Sequence, residues 1–267
     1  MINFRTIASG SAGNCTYAGV AGGHFLVDAG ISGKRIVNAL FEMNVRKLSG
    51  IFITHEHSDH ISGVGVLARR FRAPIYATPL TWRFLLRHNT IGSIPEELQN
   101  VIEPGQPIAI GDVMVTAFNV SHDASQPVGY TFCARDKYKI AVVTDLGKAT
   151  DEVRAHLKGA QIILLESNHD IEMLENGRYH YRLKKRVKGS RGHLSNAAAG
   201  AMLVEIVGPE ASESERPYVF LGHLSEENNR PMLAYDTVLR ILDAHEVKVK
   251  KLMVAERNIP GEIVKIK

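Results

Sequence analysis

Between Thr54 and His60 the chain reads Thr-His-Glu-His-Ser-Asp-His, and five of these seven side chains can ligate a metal or move a proton. The run follows the apolar stretch Gly50-Ile51-Phe52-Ile53, which places it at the end of an expected buried strand. His55 and His57 are two apart, so on an extended or tightly turned backbone both imidazoles can aim at one ion. Asp59 and His60 then serve another. A short alternating run offering two ligand sets is how compact binuclear sites are built, with ions roughly 3.5–4 Å apart. The bland alternative is a solvated polar turn, but His-x-His-x-Asp-His directly after a strand is hard to obtain from composition alone.

Further groups of the same chemical kind close other apolar runs. Asp28 follows His24-Phe25-Leu26-Val27, and His122 ends a β-rich stretch from Val101 to Val120. Asp145 follows Lys139–Val143, Glu166 follows Ile162-Ile163-Leu164-Leu165, and His223 follows Tyr218-Val219-Phe220-Leu221. In layered α/β proteins ligands collect outside strand ends, so residues scattered along the chain can converge on one rim. Small residues at Ser9-Gly10-Ser11-Ala12-Gly13-Asn14 break a strand at 3–7 and would let backbone approach a ligand; an ordinary hairpin loop reads equally well. Gly63-x-Gly65 lacks the third glycine of a dinucleotide fingerprint.

The elements that must position these residues alternate. Strands are expected at 3–7, 15–20, 24–27, 50–53, 74–77, 130–134, 139–143, 162–165, 218–221 and 248–254. Helical spacing marks segments after Ser32, from 61 to 71, and over 79–88, 150–157 and 231–244, with an alanine-rich helix after Ser195. Arg135-Asp136-Lys137 is read as the turn of a hairpin. Residues 182–191 hold six basic side chains in ten without a clear period and are read as a loop. No linker separates two units, so 1–267 is expected to form a single domain.

Composition agrees with a soluble α/β protein. The 267 residues are 45% hydrophobic, enough for a substantial core, and the formal charge is +4. A mildly basic balance suits an anionic substrate. The two cysteines, Cys15 and Cys133, form no paired zinc-ligand spacing, so His and Asp must carry any metal, and a reducing compartment is expected. No apolar run approaches the roughly 20 residues of a membrane span, and no basic segment with a long apolar core opens the chain. A cytoplasmic protein without membrane contact is expected.

Asp28, the His55-x-His57-x-Asp59-His60 run, His122, Asp145 and His223 resemble, in order and spacing, the motifs of the metallo-β-lactamase superfamily. Ser-Gly-Ser-Ala-Gly-Asn at 9–14, Glu166-Ser167-Asn168-His169 and Gly-His-Leu-Ser-Glu-Glu-Asn-Asn at 222–229 resemble the YycJ/WalJ-like group, linked to exonuclease action on DNA, beside the branch that contains tRNase Z. The resemblance implies an α/β fold, a four-layer αββα sandwich, with a binuclear site at one edge. It puts His55, His57 and His122 on one metal, Asp59, His60 and His223 on the other, and Asp145 between them. Asp28 would orient the ligand loop from behind. Zinc or manganese is expected, and iron fits the same donors.

Two Gly-His-Leu-Ser copies, at 192–195 and 222–225, compete for the last ligand position. His223 follows a rigid strand and is assigned to the metal; His193 follows a basic loop and is assigned to substrate. In tRNase Z-like enzymes a Glu and a later His of this order act together near the scissile phosphate, a role that Glu166 and His193 match. The resemblance thus implies phosphodiester hydrolysis, 5′-to-3′ on DNA rather than RNA, by a hydroxide shared between the metals. Asp59 would hold that hydroxide and His193 would protonate the leaving oxygen. Ser9, Ser11, Asn14, Asn168, Lys184, Lys185, Arg186, Lys188 and Arg191 are the expected substrate contacts. The oligomeric state is open. Competing readings are a small-molecule metallohydrolase acting on cyclic phosphodiesters, thioesters or lactones, a non-catalytic metal-binding regulator, and a diiron redox module, whose usual carboxylate ligand and flavin domain are lacking.

Overall fold

The computed structural model describes residues 1–134 and 137–267. Among these residues the strands form two mixed sheets of seven. The first contains β1 (Ile2–Ala8), β2 (Cys15–Val20), β3 (Gly23–Val27), β4 (Gly50–Phe52), β5 (Ile75–Ala77) and β6 (Gln99–Val101) in spatial sequence. The second contains β7 (Ile108–Ile110), β8 (Val113–Asn119), β9 (Val128–Ala134), β10 (Tyr138–Val143), β11 (Ile162–Glu166), β12 (Tyr218–Gly222) and β13 (Lys251–Val254). The chain then returns, and β14 (Val264–Ile266) pairs antiparallel with β1 at the edge of the first sheet.

Side-chain alternation along the strands creates the layers. In β4, Ile51 packs toward helices while Phe52 points between the sheets; in β11, Ile163 and Leu165 face helices while Ile162 and Leu164 face the other sheet. The inter-sheet core is aromatic. Phe52 meets Phe132 edge-on at 5.2 Å and stacks on Tyr76 at 4.6 Å, geometries favoured by the ring quadrupole. Helices α1 (Gly33–Glu42), α3 (Val64–Phe71) and α4 (Pro79–His88), with the short α2 (Ser58–Ile61), bury Ile36, Leu40, Leu67, Trp82 and Leu85 on the outer face of the first sheet. Helix α5 (Asp151–Leu157) covers the second. After β11 come α6 (Ile171–Asn176) and α7 (Tyr181–Lys188), then α8 (Asn196–Val207) and α9 (Pro231–Ala244), which join α5 on that face. The expected αββα order of layers is the one observed.

Several local expectations are corrected. The helix read over 61–71 begins at Ser58 and breaks before α3. Gly63 N donates to Ala29 O (2.7 Å), and a Cβ there would lie 2.4 Å from Ile31 O, so the break is a backbone-to-backbone contact. The basic run is not a loop: residues 182–188 belong to α7. The His180 imidazole caps its start by accepting from Leu183 N, Lys and Arg are good helix formers, and Val187 alone is buried, which leaves no apolar period to read. Neither α6 nor β14 was anticipated. In the expected hairpin turn, Arg135 and Asp136 lie outside the described residues, while its strands pair Tyr138 with Ala134. Among the described residues no helix is long and apolar enough to cross a membrane.

Candidate metal centre

The strands deliver the polar groups to one rim by sharp turns. Asp28 after β3, Asp145 after β10 and His223 after β12 all take positive φ, at 58°, 57° and 54°. Non-glycine residues rarely adopt this left-handed region, and strain of this kind gathers at functional sites. The His-rich run leaves β4, turns through α2, and is held close to the segment after β3. Asn14 N donates to Asp59 O (2.7 Å), Ala29 N donates to His60 O (2.8 Å), and a Cβ on Gly30 would lie 1.5 Å from Asp59 O.

All seven expected ligands meet there. His55, His57 and His122 offer nitrogens within 4.8 Å of one another, and Asp59, His60 and His223 form a second such group. Asp145 stands between them, with Oδ2 3.1 Å from His60 Nε2 and Oδ1 3.6 Å from His122 Nε2. Most imidazoles are held from behind. His60 Nδ1 lies 2.7 Å from Asp28 Oδ2, His122 Nδ1 3.1 Å from Gly192 O, and His223 Nδ1 2.8 Å from Glu166 Oε1. Thr54 donates its hydroxyl and its N–H to the two oxygens of Asp28, each at 2.8 Å. Ligating histidines typically show such outer partners, which fix the ring and its tautomer.

The inward atoms fit divalent cations. His122 Nε2 and His223 Nε2 are buried without a hydrogen-bond partner, and Asp145 Oδ2, though 3.1 Å from His60 Nε2, makes no aligned hydrogen bond, a condition costly to a folded protein unless something else satisfies these atoms. His55 Nε2 and His57 Nδ1 are 2.9 Å apart, so both can direct lone pairs at one ion. The donor set is nitrogen and oxygen only, borderline to hard, and suits zinc, manganese or iron. Local electrostatics agree. Burial would lower His223, but Asp145, Asp59 and Glu166 push it up to about 10. Burial would raise Asp59, but neighbouring His223 and His60 hold it well below the usual carboxylate range. The excess of anionic oxygen that retains these protons is what a cation would neutralise.

Glu166 organises the far side of the site. Its carboxylate is fully buried; Oε1 lies 2.8 Å from both His193 Nδ1 and His223 Nδ1, while Oε2 accepts from Leu146 N (2.7 Å) and Leu194 N (2.9 Å). Burial raises its pKa, but the two histidines bring it down to about 2. With these positions filled, Glu166 does not reach a substrate, and its expected catalytic part narrows to positioning the two Gly-His-Leu-Ser histidines. His193 is the more open of the two, with its side chain 17% exposed against 3% for His223.

The expected substrate contacts divide. Ser9 is buried and accepts from His223 N (2.8 Å), Asn168 is buried and donates to His223 O (2.9 Å), and Asn14 Nδ2 lies 3.1 Å from His60 Nε2. These three brace the ligand segments from inside, whereas Ser11 is exposed. In the basic run, Arg186 forks onto Asp123 (2.5 and 3.2 Å) and Lys188 pairs with Glu175. Lys184 donates to Glu175 O (2.6 Å) and Arg191 to His122 O (3.2 Å), while Lys185 is exposed. Much of this charge is therefore engaged in holding α7 beside His122. Sequence reasoning missed Glu56, whose Oε1 accepts from Ser125 N (2.8 Å) and Ser125 Oγ (2.6 Å) and ties the His-rich run to the His122 loop. Its position between two ligand-type histidines was the available signal.

Two face-to-face mixed sheets between helical layers, with ligand-type residues brought to one rim from both, define the metallo-β-lactamase class of sandwich. Residues 24–211 match the family described as "Beta-lactamase superfamily domain", and the chain belongs to that superfamily. It is 40% identical over 245 residues to exodeoxyribonuclease YycJ of Bacillus anthracis, covering 91% of this chain and 89% of that one. It is 39% identical over 241 residues to exodeoxyribonuclease WalJ of Streptococcus pneumoniae, covering 90% and 87%. The likeness to the YycJ/WalJ-like group read from the motifs is borne out. Zn2+-bound PqqB from Methylobacterium extorquens shares the fold, with a TM-score of 0.70 and 16% identity over 98% of this chain and 100% of that one.

Proposed function

We propose that this chain is a metal-dependent phosphodiesterase that degrades DNA from an end, with two divalent cations held by His55, His57 and His122, by Asp59, His60 and His223, and by Asp145 between them. The observation that carries this reading is the pair of touching donor groups with Asp145 at their junction and His193 beside them on the open side. The names of the two full-length relatives support DNA and exonucleolytic action. When bound, the cations lower the pKa of water and take up charge developing on the phosphoryl oxygens.

The chain's own residues do the rest. Asp59, its side chain 24% exposed, stands ionised at the mouth and accepts a hydrogen bond from the attacking water, aligning it with phosphorus. Burial lowers His193, but Glu166 holds its proton and raises its pKa. Its imidazolium is thereby available to the leaving oxygen as general acid. Removal of successive nucleotides from the 5′ end is the finer form of the proposal.

The test is a panel of 5′- and 3′-labelled single- and double-stranded DNA and RNA with zinc or manganese, beside bis-p-nitrophenyl phosphate and nitrocefin. We expect 5′-terminal mononucleotide release from DNA, and its loss together with bound metal in Asp145→Ala. Turnover of nitrocefin alone, or full activity in a folded, metal-depleted Asp145→Ala, would overturn the reading.

A further inference from the structure

Helix α4 runs beside the loop that carries His122, and its start is fixed there. Thr78 Oγ1 donates to Gln126 O (2.9 Å), and Gln126 Oε1 accepts from Leu80 N (3.2 Å). The preceding residue, Ser125, is the one clamped by Glu56 between His55 and His57. Ser125 is three positions after His122, so their Cα atoms are at most about 11 Å apart. Leu80, Arg83, Phe84, Arg87, His88 and Ser125 line a cavity of about 310 Å³, which therefore opens next to the candidate metal centre.

The α4 residues of this cavity fall on one helical stripe at i, i+3, i+4, i+7 and i+8. Thr81, Trp82 and Leu85 take the buried side. Arg83 and Arg87 are exposed, lie one turn apart, and pair with no carboxylate among the described residues. Helix α4 itself contains no acid. This differs from α7, where Arg186 and Lys188 are already neutralised by Asp123 and Glu175. Phe84, half-buried, lies between the two arginines with its ring 4.5 Å from that of His88. Unpaired guanidinium groups suit backbone phosphates, and a neighbouring aromatic face suits an unstacked base.

We propose that this stripe is the platform for a single nucleic-acid strand whose end lies in the metal centre. Arg83 and Arg87 hold two of its backbone phosphates, and Phe84, backed by His88, stacks a base. The proposal rests on the nucleic-acid reading above and adds where the strand runs. A surface that binds phosphates alone would use the arginines but not Phe84, so Phe84→Leu, which keeps the apolar volume and removes the ring, separates the two.

The experiment compares kcat/KM for a single-stranded DNA 12-mer with kcat/KM for bis-p-nitrophenyl phosphate, using metal-loaded wild type, R83Q/R87Q and F84L. Taking the ratio cancels any loss of folded protein. We expect R83Q/R87Q to lower the ratio roughly tenfold and to flatten the slope of log affinity against log salt by about 1.4, for two single-strand phosphate contacts. F84L should lower the ratio roughly fivefold or more. An unchanged ratio and slope in both variants would overturn the platform while leaving the nuclease reading intact. A loss confined to R83Q/R87Q would overturn the stacking of a base on Phe84 and leave the stripe as a phosphate-binding surface alone. Wild type that cleaves no oligonucleotide would remove the nuclease reading and the platform together.

Discussion

At Glu166 one carboxylate oxygen serves two imidazoles, and the two Gly-His-Leu-Ser copies are thereby coupled through a single buried group. Glu166→Gln keeps the shape but removes the charge that orients both rings. We expect metal affinity and kcat to fall together by about 10- to 100-fold, the range typical when an outer partner of a ligand is lost; metal titration and steady-state kinetics measure it. A loss of kcat alone would mean that His223 does not depend on Glu166. His169, the third histidine of this region, belongs to none of the candidate ligand groups among the described residues. It is 2% exposed, and burial lowers its pKa to about 4. Between that value and its unfolded value near 6.5, the unfolded chain binds the extra proton, so stability falls as pH drops through this window. Denaturant titrations from pH 7 to 4 on wild type and His169→Asn should show a shallower acid loss in the variant, by up to about 3 kcal/mol. The convergence of the ligand-type residues was legible in the sequence because each closes an apolar strand. The saturation of Glu166 was not, since it depends on Leu146 N and Leu194 N, which come from loops far apart in sequence.

Strands that are continuous apolar runs buried on both faces, such as β11 and β12, were readable from the sequence within a residue or so. Elements without a buried periodic face were not. Helix α7 hides a single valine, and β14 exists because β1 has an open edge 260 residues earlier in the chain. The α2–α3 break is set by Gly63 meeting the Ala29–Ile31 backbone, a contact that no local pattern encodes. Gly30 provides the corresponding close approach at the His-rich run. Gly30→Ala should displace the Asp59 backbone, cost about 3 kcal/mol in denaturant unfolding, and weaken metal binding. Gly22→Ala, where positive φ but no nearby atom is involved, should lose stability without weakening metal binding. Equal metal losses in the two variants would show that close packing at Gly30 is not what shapes the ligand run.

At the scale of the molecule, both sheets contribute to the centre, and β14 returns to the first sheet only after the second is complete. The single-domain expectation becomes a prediction of one cooperative unfolding transition with coincident near- and far-UV signals. Two resolved transitions would mean that the halves fold separately. Cations that bind only the folded state should add about 2.7 kcal/mol at a hundredfold excess over Kd, equivalent to roughly 5–10 °C in Tm for a chain of this size. Chelation should remove that increment, as read by calorimetry. The division of the proposed ligands between the sheets also has a meaning in time. About 160 residues separate His60 from His223, so at 5–20 residues per second a ribosome needs roughly 8–30 s between them. Within that interval the proposed set of His55, His57, His122 and Asp145 is already translated while the second set still lacks His223, so loading of the second ion is expected to wait until His223 has emerged.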